Sequence, residues 1–72
     1  MNPTKLSLAF GKAVRDARLN KGMSQADLSK VTRLSQPHLS KLEAGRRLPE
    51  WKTLRRLARA FGANTMAELL LL

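Results

Sequence analysis

The stretch SQADLSKVTRLSQPHLSKLEAG, residues 24–45, decides the fold. Ser24 can cap a helix, and Ser24-x-x-Asp27 has the form of a capping box, in which each side chain satisfies the other residue's backbone N–H. Ala26, Leu28 and Val31 follow at helical rather than alternating intervals. Ser35 offers a second cap, and after it Leu39 and Leu42 share one face while Gln36, Ser40 and Lys41 point elsewhere. Gly45 supplies a stop. The spacing predicts helices over 25–31 and 36–44 with Thr32, Arg33 and Leu34 as the turn. Pro37 fits the first turn, where its missing N–H would have no intrahelical partner, and it biases Gln36 away from the α region.

Two short helices joined by a turn of about three or four residues have helix-turn-helix spacing, with the second helix as the candidate reader of DNA. Outward from this unit, Asn2-Pro3-Thr4 breaks the chain and Thr4 or Ser7 caps a first helix. Its expected buried stripe is Leu6, Phe10, Val14 and Ala17, with Gly22 beyond its end, while Arg15 and Asp16 read as solvated. Arg18 borders that stripe, either as a snorkelling surface side chain or as a partner for something inside. On the other side, Arg46 and Arg47 begin a basic linker, and Pro49 and Glu50 open a helix whose expected inner face is Trp51, Leu54, Leu57, Ala58 and Phe61. Lys52, Arg55, Arg56 and Arg59 form its polar face, and Gly62 ends it. Thr65-x-x-Glu68 is a further capping box for a last helix over 65–72. The sum is one all-α domain of five short helices spanning 1–72.

Composition narrows the function. Seventy-two residues make a single small domain, close to the lower size limit for a core without staples. With no cysteine and one histidine, His38, neither a disulfide framework nor a metal site is expected, and no other cofactor is implied. Fourteen Lys and Arg against five Asp and Glu give a net charge of +9, which calls for a polyanionic partner, nucleic acid before a membrane surface. The longest apolar run is the four terminal leucines, far below the roughly 20 residues of a membrane span. The N-terminus has no signal-peptide core, so the expected location is the cytoplasm of a bacterium or a phage-infected cell.

The candidate readers lie around the non-leucine face of the second helix: Ser35, Gln36, Pro37, His38, Ser40 and Lys41. Gln bonds adenine in bidentate fashion and Lys bonds guanine O6 and N7. Gln25 can donate to a phosphate beside the free N–H groups of its helix, and Arg46 and Arg47 are placed for backbone contact. Taken singly, each is an ordinary surface residue. The combination of spacing, caps and charge carries the reading.

The segments FGKAVRDAR, KGMSQADLS, LSQPHLSKLEAGRRLP, TLRRLARAFG and TMAEL, running in order across 10–70, resemble the phage repressor and Cro family of helix-turn-helix domains. The resemblance implies a compact five-helix domain that binds a palindromic double-stranded DNA operator as a homodimer and regulates transcription. It implies that Gln25 clamps a phosphate, that Gln36, Pro37 and Lys41 with Ser40 face the bases, and that Arg46 and Arg47 follow the backbone. It also implies a structural ion pair between Arg18 and Glu43. Two residues depart from the pattern. Arg33 occupies a turn position that usually holds glycine, which predicts strain of about 1 kcal/mol. Pro37 can touch a thymine methyl but offers no side-chain hydrogen bond.

Met66, Leu69, Leu70 and Leu72 carry more apolar surface than one helix face can bury, and a two-fold dimer interface is expected there, unless a segment outside this chain covers them. Such an interface would set two reading helices about 34 Å apart. The same domain also serves restriction-modification controllers and antitoxins, the latter adding a toxin as protein partner. A cationic membrane-surface protein would show one long amphipathic helix, whereas Gly22, Gly45, Pro49 and Gly62 cut this chain into short ones. An enzyme is not expected, since no carboxylate pair, nucleophile-base set or phosphate loop is present.

Overall fold

The computed structural model describes residues 4–62, and they form four helices: α1 (Lys5–Asn20), α2 (Gln25–Thr32), α3 (Gln36–Glu43) and α4 (Trp51–Phe61). No strand occurs among the described residues. The expected fifth helix and its apolar residues Met66, Leu69, Leu70 and Leu72 lie outside them.

Local chemistry sets the helix ends. The Ser7 N–H donates to the Thr4 hydroxyl while the Ser7 hydroxyl accepts from the Thr4 N–H, so Thr4 and Ser7 act together rather than as alternatives. Ser24 and Asp27 make the same reciprocal pair at the start of α2. Ser35 caps α3 by accepting from the His38 N–H, and Gln36 and Pro37 are its first two residues. α1 and α3 end alike: Met23 N–H reaches back to the Arg18 carbonyl and Arg46 N–H to the Lys41 carbonyl. At the second of these ends Gly45 has φ +75°, and an added Cβ would fall on Leu8, so only glycine fits. The start of α4 differs from expectation. Glu50 is its N-cap, without a side-chain cap bond, and Pro49 lies before the helix.

The turn between α2 and α3 is residues 33–35, one residue later than its spacing predicts. Arg33 adopts the left-handed conformation at φ 61° and ψ 24°, so the turn keeps the shape that glycine usually supplies. It is held by Thr32, whose hydroxyl donates to the Leu28 carbonyl and accepts from the Leu34 N–H, and by Ser29, which donates to the Leu34 carbonyl.

The core gathers Phe10 and Val14 of α1, Leu28 of α2, Leu39 of α3, Leu57 and Phe61 of α4, and Leu34 from the turn. Leu42 is also fully buried. Each such side chain contributes about 1.5–3 kcal/mol by leaving water. Two expected core residues, Trp51 and Leu6, are outside, and so is Val31 of α2. Trp51 is 69% exposed because α4 turns Thr53, Leu57 and Phe61 inward, and Trp51 stands two residues, about 200°, from Thr53. Leu6 is exposed because Ser7, Gly11 and Val14 form the inward row of α1. Val31 lies one position off the buried Leu28 and Thr32 row.

α1 packs on α3, and α2 packs on both α3 and α4. The closest approach is at Gly11, where an added Cβ would meet the carbonyl oxygen of Leu42 and lie 2.8 Å from that of Glu43. Beside it the buried Ser7 hydroxyl donates to the Gly45 carbonyl at 2.6 Å. The last turn of α3 is thereby fixed against α1.

Candidate nucleic-acid interface

The outward face of α3 presents Gln36, Pro37, Ser40 and Lys41 to solvent. Arg46 and Arg47 are exposed just beyond its end. Ser35 is exposed as well, its hydroxyl accepting the cap bond from the His38 N–H and keeping its own O–H as a donor. One expected reader is placed otherwise. His38 is half-buried, and its Nε2 is shut off from solvent with no hydrogen-bond partner among the described residues. An atom so enclosed offers nothing to a base edge.

Behind this face Arg18 and Glu43 meet. Arg18 Nε donates to Glu43 Oε2 at 2.8 Å and Nη2 to Oε1 at 3.0 Å, a bidentate pair. The two side chains are only 11% and 6% exposed. The third guanidinium nitrogen, Nη1, donates to the Met23 carbonyl at 2.8 Å. The hydrogen bonds to Glu43 raise the pKa of Arg18 further, against the opposing effect of desolvation. Burial here is tolerable because both charges are matched and hydrogen-bonded.

Gln25 joins the same group. Its Nε2 donates to Glu43 Oε1 at 3.3 Å, which holds the amide at the start of α2. A glutamine amide has two N–H donors, so the second stays free for a ligand. Arg15, Gln25, Ser40 and Ala44 line one cleft together with the ion pair. Arg15 is exposed, as its solvated reading in the sequence expects, and it stands three residues from Arg18, beside Ser40 and Ala44 at the edge of the outward face of α3. That i, i+3 relation was the available signal. Gly11 was the other overlooked residue, an isolated glycine inside a helical pattern.

In the first turn of α2, Asp27 is exposed and its carboxyl lies below the ordinary aspartate range, first because it accepts from the Ser24 backbone and then from the Ser24 side chain. Among the described residues no cluster of His, Asp or Glu could hold a metal ion, and no helix is long and apolar enough to cross a membrane.

A bihelical unit with a capped, exposed second helix, held from behind by a third, defines a helix-turn-helix domain of the phage repressor and Cro type. The chain belongs to the helix-turn-helix domain family, whose model matches residues 9–72. It is 40% identical over 49 residues to the ImmF control region 10 kDa protein of Bacillus phage phi105, covering 68% of this chain and 54% of that protein. It is 34% identical over 64 residues to multiprotein-bridging factor 1 of Eremothecium gossypii, covering 89% of this chain and 42% of that one. The chain thus spans about half the length of the curated relatives it matches. Among solved structures it resembles the clp gene regulator ClgR of Corynebacterium glutamicum at TM-score 0.82 and 33% identity, over 97% of this chain and 73% of that one. It also resembles the restriction-modification controller protein C.AhdI of Aeromonas hydrophila at TM-score 0.78 and 29% identity, over 86% and 92%.

Proposed function

We propose that this chain is a sequence-specific, double-stranded DNA-binding regulator of transcription, repressor-like and cytoplasmic, that reads a palindromic operator through α3. The observation that carries this reading is the exposed polar face of α3 set over the buried Arg18 and Glu43 pair. The pair neutralises the carboxylate of α3 itself, so phosphates meet Arg15, Gln25 and Arg46 on that side, while Arg47 shares its charge with the exposed Glu50 at 3.7 Å. In the major groove Gln36 suits adenine, Lys41 suits guanine, and Pro37 suits a thymine methyl. The free N–H of Gln25, already oriented by Glu43, takes a phosphate oxygen. Met66, Leu69, Leu70 and Leu72 are proposed to form the dimer contact, and sedimentation at micromolar concentration tests it: a clean monomer with and without DNA defeats it.

Selection of bound fragments from a random duplex pool tests the reading itself, and the absence of any enriched sequence sinks it. With the selected site in hand, binding by a dimer making six to ten phosphate contacts falls about 10³–10⁵-fold between 50 and 200 mM salt. Lys41→Ala then relaxes base preference at a cost of about 1–3 kcal/mol, whereas Arg47→Ala weakens all sequences alike. Identical behaviour of the two variants on every site would break this division of roles. A restriction-modification controller role is the second reading, favoured by the match over nearly the whole of the C.AhdI chain. An antitoxin role would add a toxin partner.

A further inference from the structure

The reading proposed above leaves the outward face of α4 without a task. Lys52, Arg55, Arg56 and Arg59 stand in one cationic row, opposite the inward Thr53, Leu57 and Phe61. α4 contains no acidic residue, so Lys52 repels Arg55 and Arg56, and Arg59 repels both arginines as well, at the three- and four-residue spacings where side chains are neighbours. Nothing among the described residues relieves this. Among the described residues the ion pairs are Arg18 with Glu43 and Arg47 with Glu50, and neither involves α4. The row extends onto the turn. Arg56 Nη1 donates to the Arg33 carbonyl at 3.2 Å, and Val31, Thr32, Arg33, Arg56 and Arg59 line one cleft.

This face lies away from the reading face. α3 and α4 pack on α2 and turn Leu39 and Leu57 into the same core, so their outward faces point apart. Arg33 and Arg56 also sit at the C-terminal end of α2, whereas Gln25 sits at its N-terminal end, about 11 Å away along the axis. The chemistry of the row fits a phosphodiester backbone. From 52 to 59 it rises about 10 Å, the length over which one DNA strand presents about three phosphates. An acidic protein partner would want an apolar anchor at the centre of its contact, and the row has none, Trp51 standing at its margin.

We propose that the α4 row is a second, sequence-independent surface for the phosphate backbone of a separate DNA duplex, so that a molecule seated through α3 holds another segment. The proposal rests on the α3 reading for the first duplex. The test uses the full chain and the variant Lys52→Gln/Arg55→Gln/Arg59→Gln, which spares Arg56 and its bond to the Arg33 carbonyl. Fluorescence anisotropy measures binding to one duplex carrying a selected site. A second assay loads protein on that duplex on beads and measures capture of a labelled duplex of unrelated sequence, at about 50 mM salt. The expected result is capture by the wild type, at least about tenfold less capture by the variant, and single-duplex affinity changed by no more than about threefold.

Equal capture by both proteins overturns the proposal. So does absence of capture by the wild type when the salt slope on the single duplex falls by about one for each charge removed, since the row then lies along the flank of the first duplex. Binding of polyglutamate that the variant loses, without any capture of DNA, would assign the row to an acidic protein instead. A wild type that binds no single duplex defeats the α3 reading, and this proposal with it. The variant's thermal unfolding, followed by circular dichroism, is expected at or above the wild-type temperature, because the substitutions remove repulsion.

Discussion

The two polar faces of this small domain are built on opposite plans. The face of α3 is held from behind at every level: a bidentate Arg18 and Glu43 pair, the Gly11 contact, and the Ser7 bond to the Gly45 carbonyl. Among the described residues the row on α4 has one hydrogen bond to the rest of the domain, from Arg56 to the Arg33 carbonyl. The acids are divided the same way, one buried behind α3 and none on α4. Hydrogen bonds to base edges demand a fixed register, whereas attraction to a phosphate backbone tolerates movement of long side chains. Rigidity is concentrated where geometry must be specific, and uncompensated charge where only its sign matters.

The sharpest way to break this contrast is Glu43→Ala. It leaves a buried guanidinium without its counter-charge and frees Gln25, at an expected cost of about 3–5 kcal/mol in chemical denaturation. That is a large part of the total for a domain this small. Arg18→Met combined with Glu43→Leu should recover most of the loss, because the pair's contribution is a coupling rather than a sum. Arg59→Gln on the other face should stay within about 0.5 kcal/mol. Equal costs for Glu43→Ala and Arg59→Gln would erase the distinction between the faces.

Gly11→Ala tests the same anchoring through the backbone. Helix propensity alone predicts a gain of about 1 kcal/mol for α1. The added methyl instead collides with the Leu42 and Glu43 carbonyls, and overpacking against backbone costs about 1–3 kcal/mol. A net loss of stability, accompanied by weaker discrimination between operator variants, shows that the contact sets the position of α3. A stabilised protein with unchanged discrimination would remove Gly11 from the site.

What could be read from the sequence, and what could not, follows the range of the forces involved. The caps at Ser24 and Ser35, the glycine ends of α1 and α3, and the core leucines 28, 39 and 42 depend on neighbours within a turn or two, and each stands where its spacing places it. The inward phase of α4 does not. Trp51 is apolar enough for the core, but the phase is chosen by what α4 packs against, and that leaves the ring outside. Gly11 is constrained by backbone 31 residues further on, and no local pattern carries that information. Arg18 and Glu43 are 25 residues apart, and their spacing is silent about pairing; only the likeness to a family brought them together. The inward turn of the His38 ring had no sequence signal at all.

The start of α2, which carries Gln25, is held more lightly. Ser24→Ala removes a cap and should cost about 0.5–2 kcal/mol. A pH titration adds detail. The Asp27 carboxyl lies lower in the folded chain than in the unfolded one, because it accepts from Ser24. Its contribution is therefore present above the ordinary aspartate value of 3.8 and disappears as pH falls through the lower folded value. Asp27→Asn should flatten that acid limb of the stability profile. An unchanged limb would show that this capping box does not fix the end of α2 that bears Gln25.

The smallest effect belongs to the turn that joins the two faces, and its sign is the informative part. Arg33 holds φ 61°, a conformation costing a side chain about 1–2 kcal/mol. Arg33→Gly relieves that cost and returns about 0.5–1 kcal/mol through the greater freedom of the unfolded chain. A net gain of about 0.5–1 kcal/mol is expected, since Thr32, Ser29 and the Arg33 carbonyl keep their bonds whatever the side chain. Base preference should not move, because no atom of the α3 face is touched, while capture of a second duplex should weaken with the lost charge. Strain retained at Arg33 against an available glycine then has a reason on the α4 side. A variant that gains stability and loses nothing in capture would separate the turn from the basic row and confine that row to α4 alone.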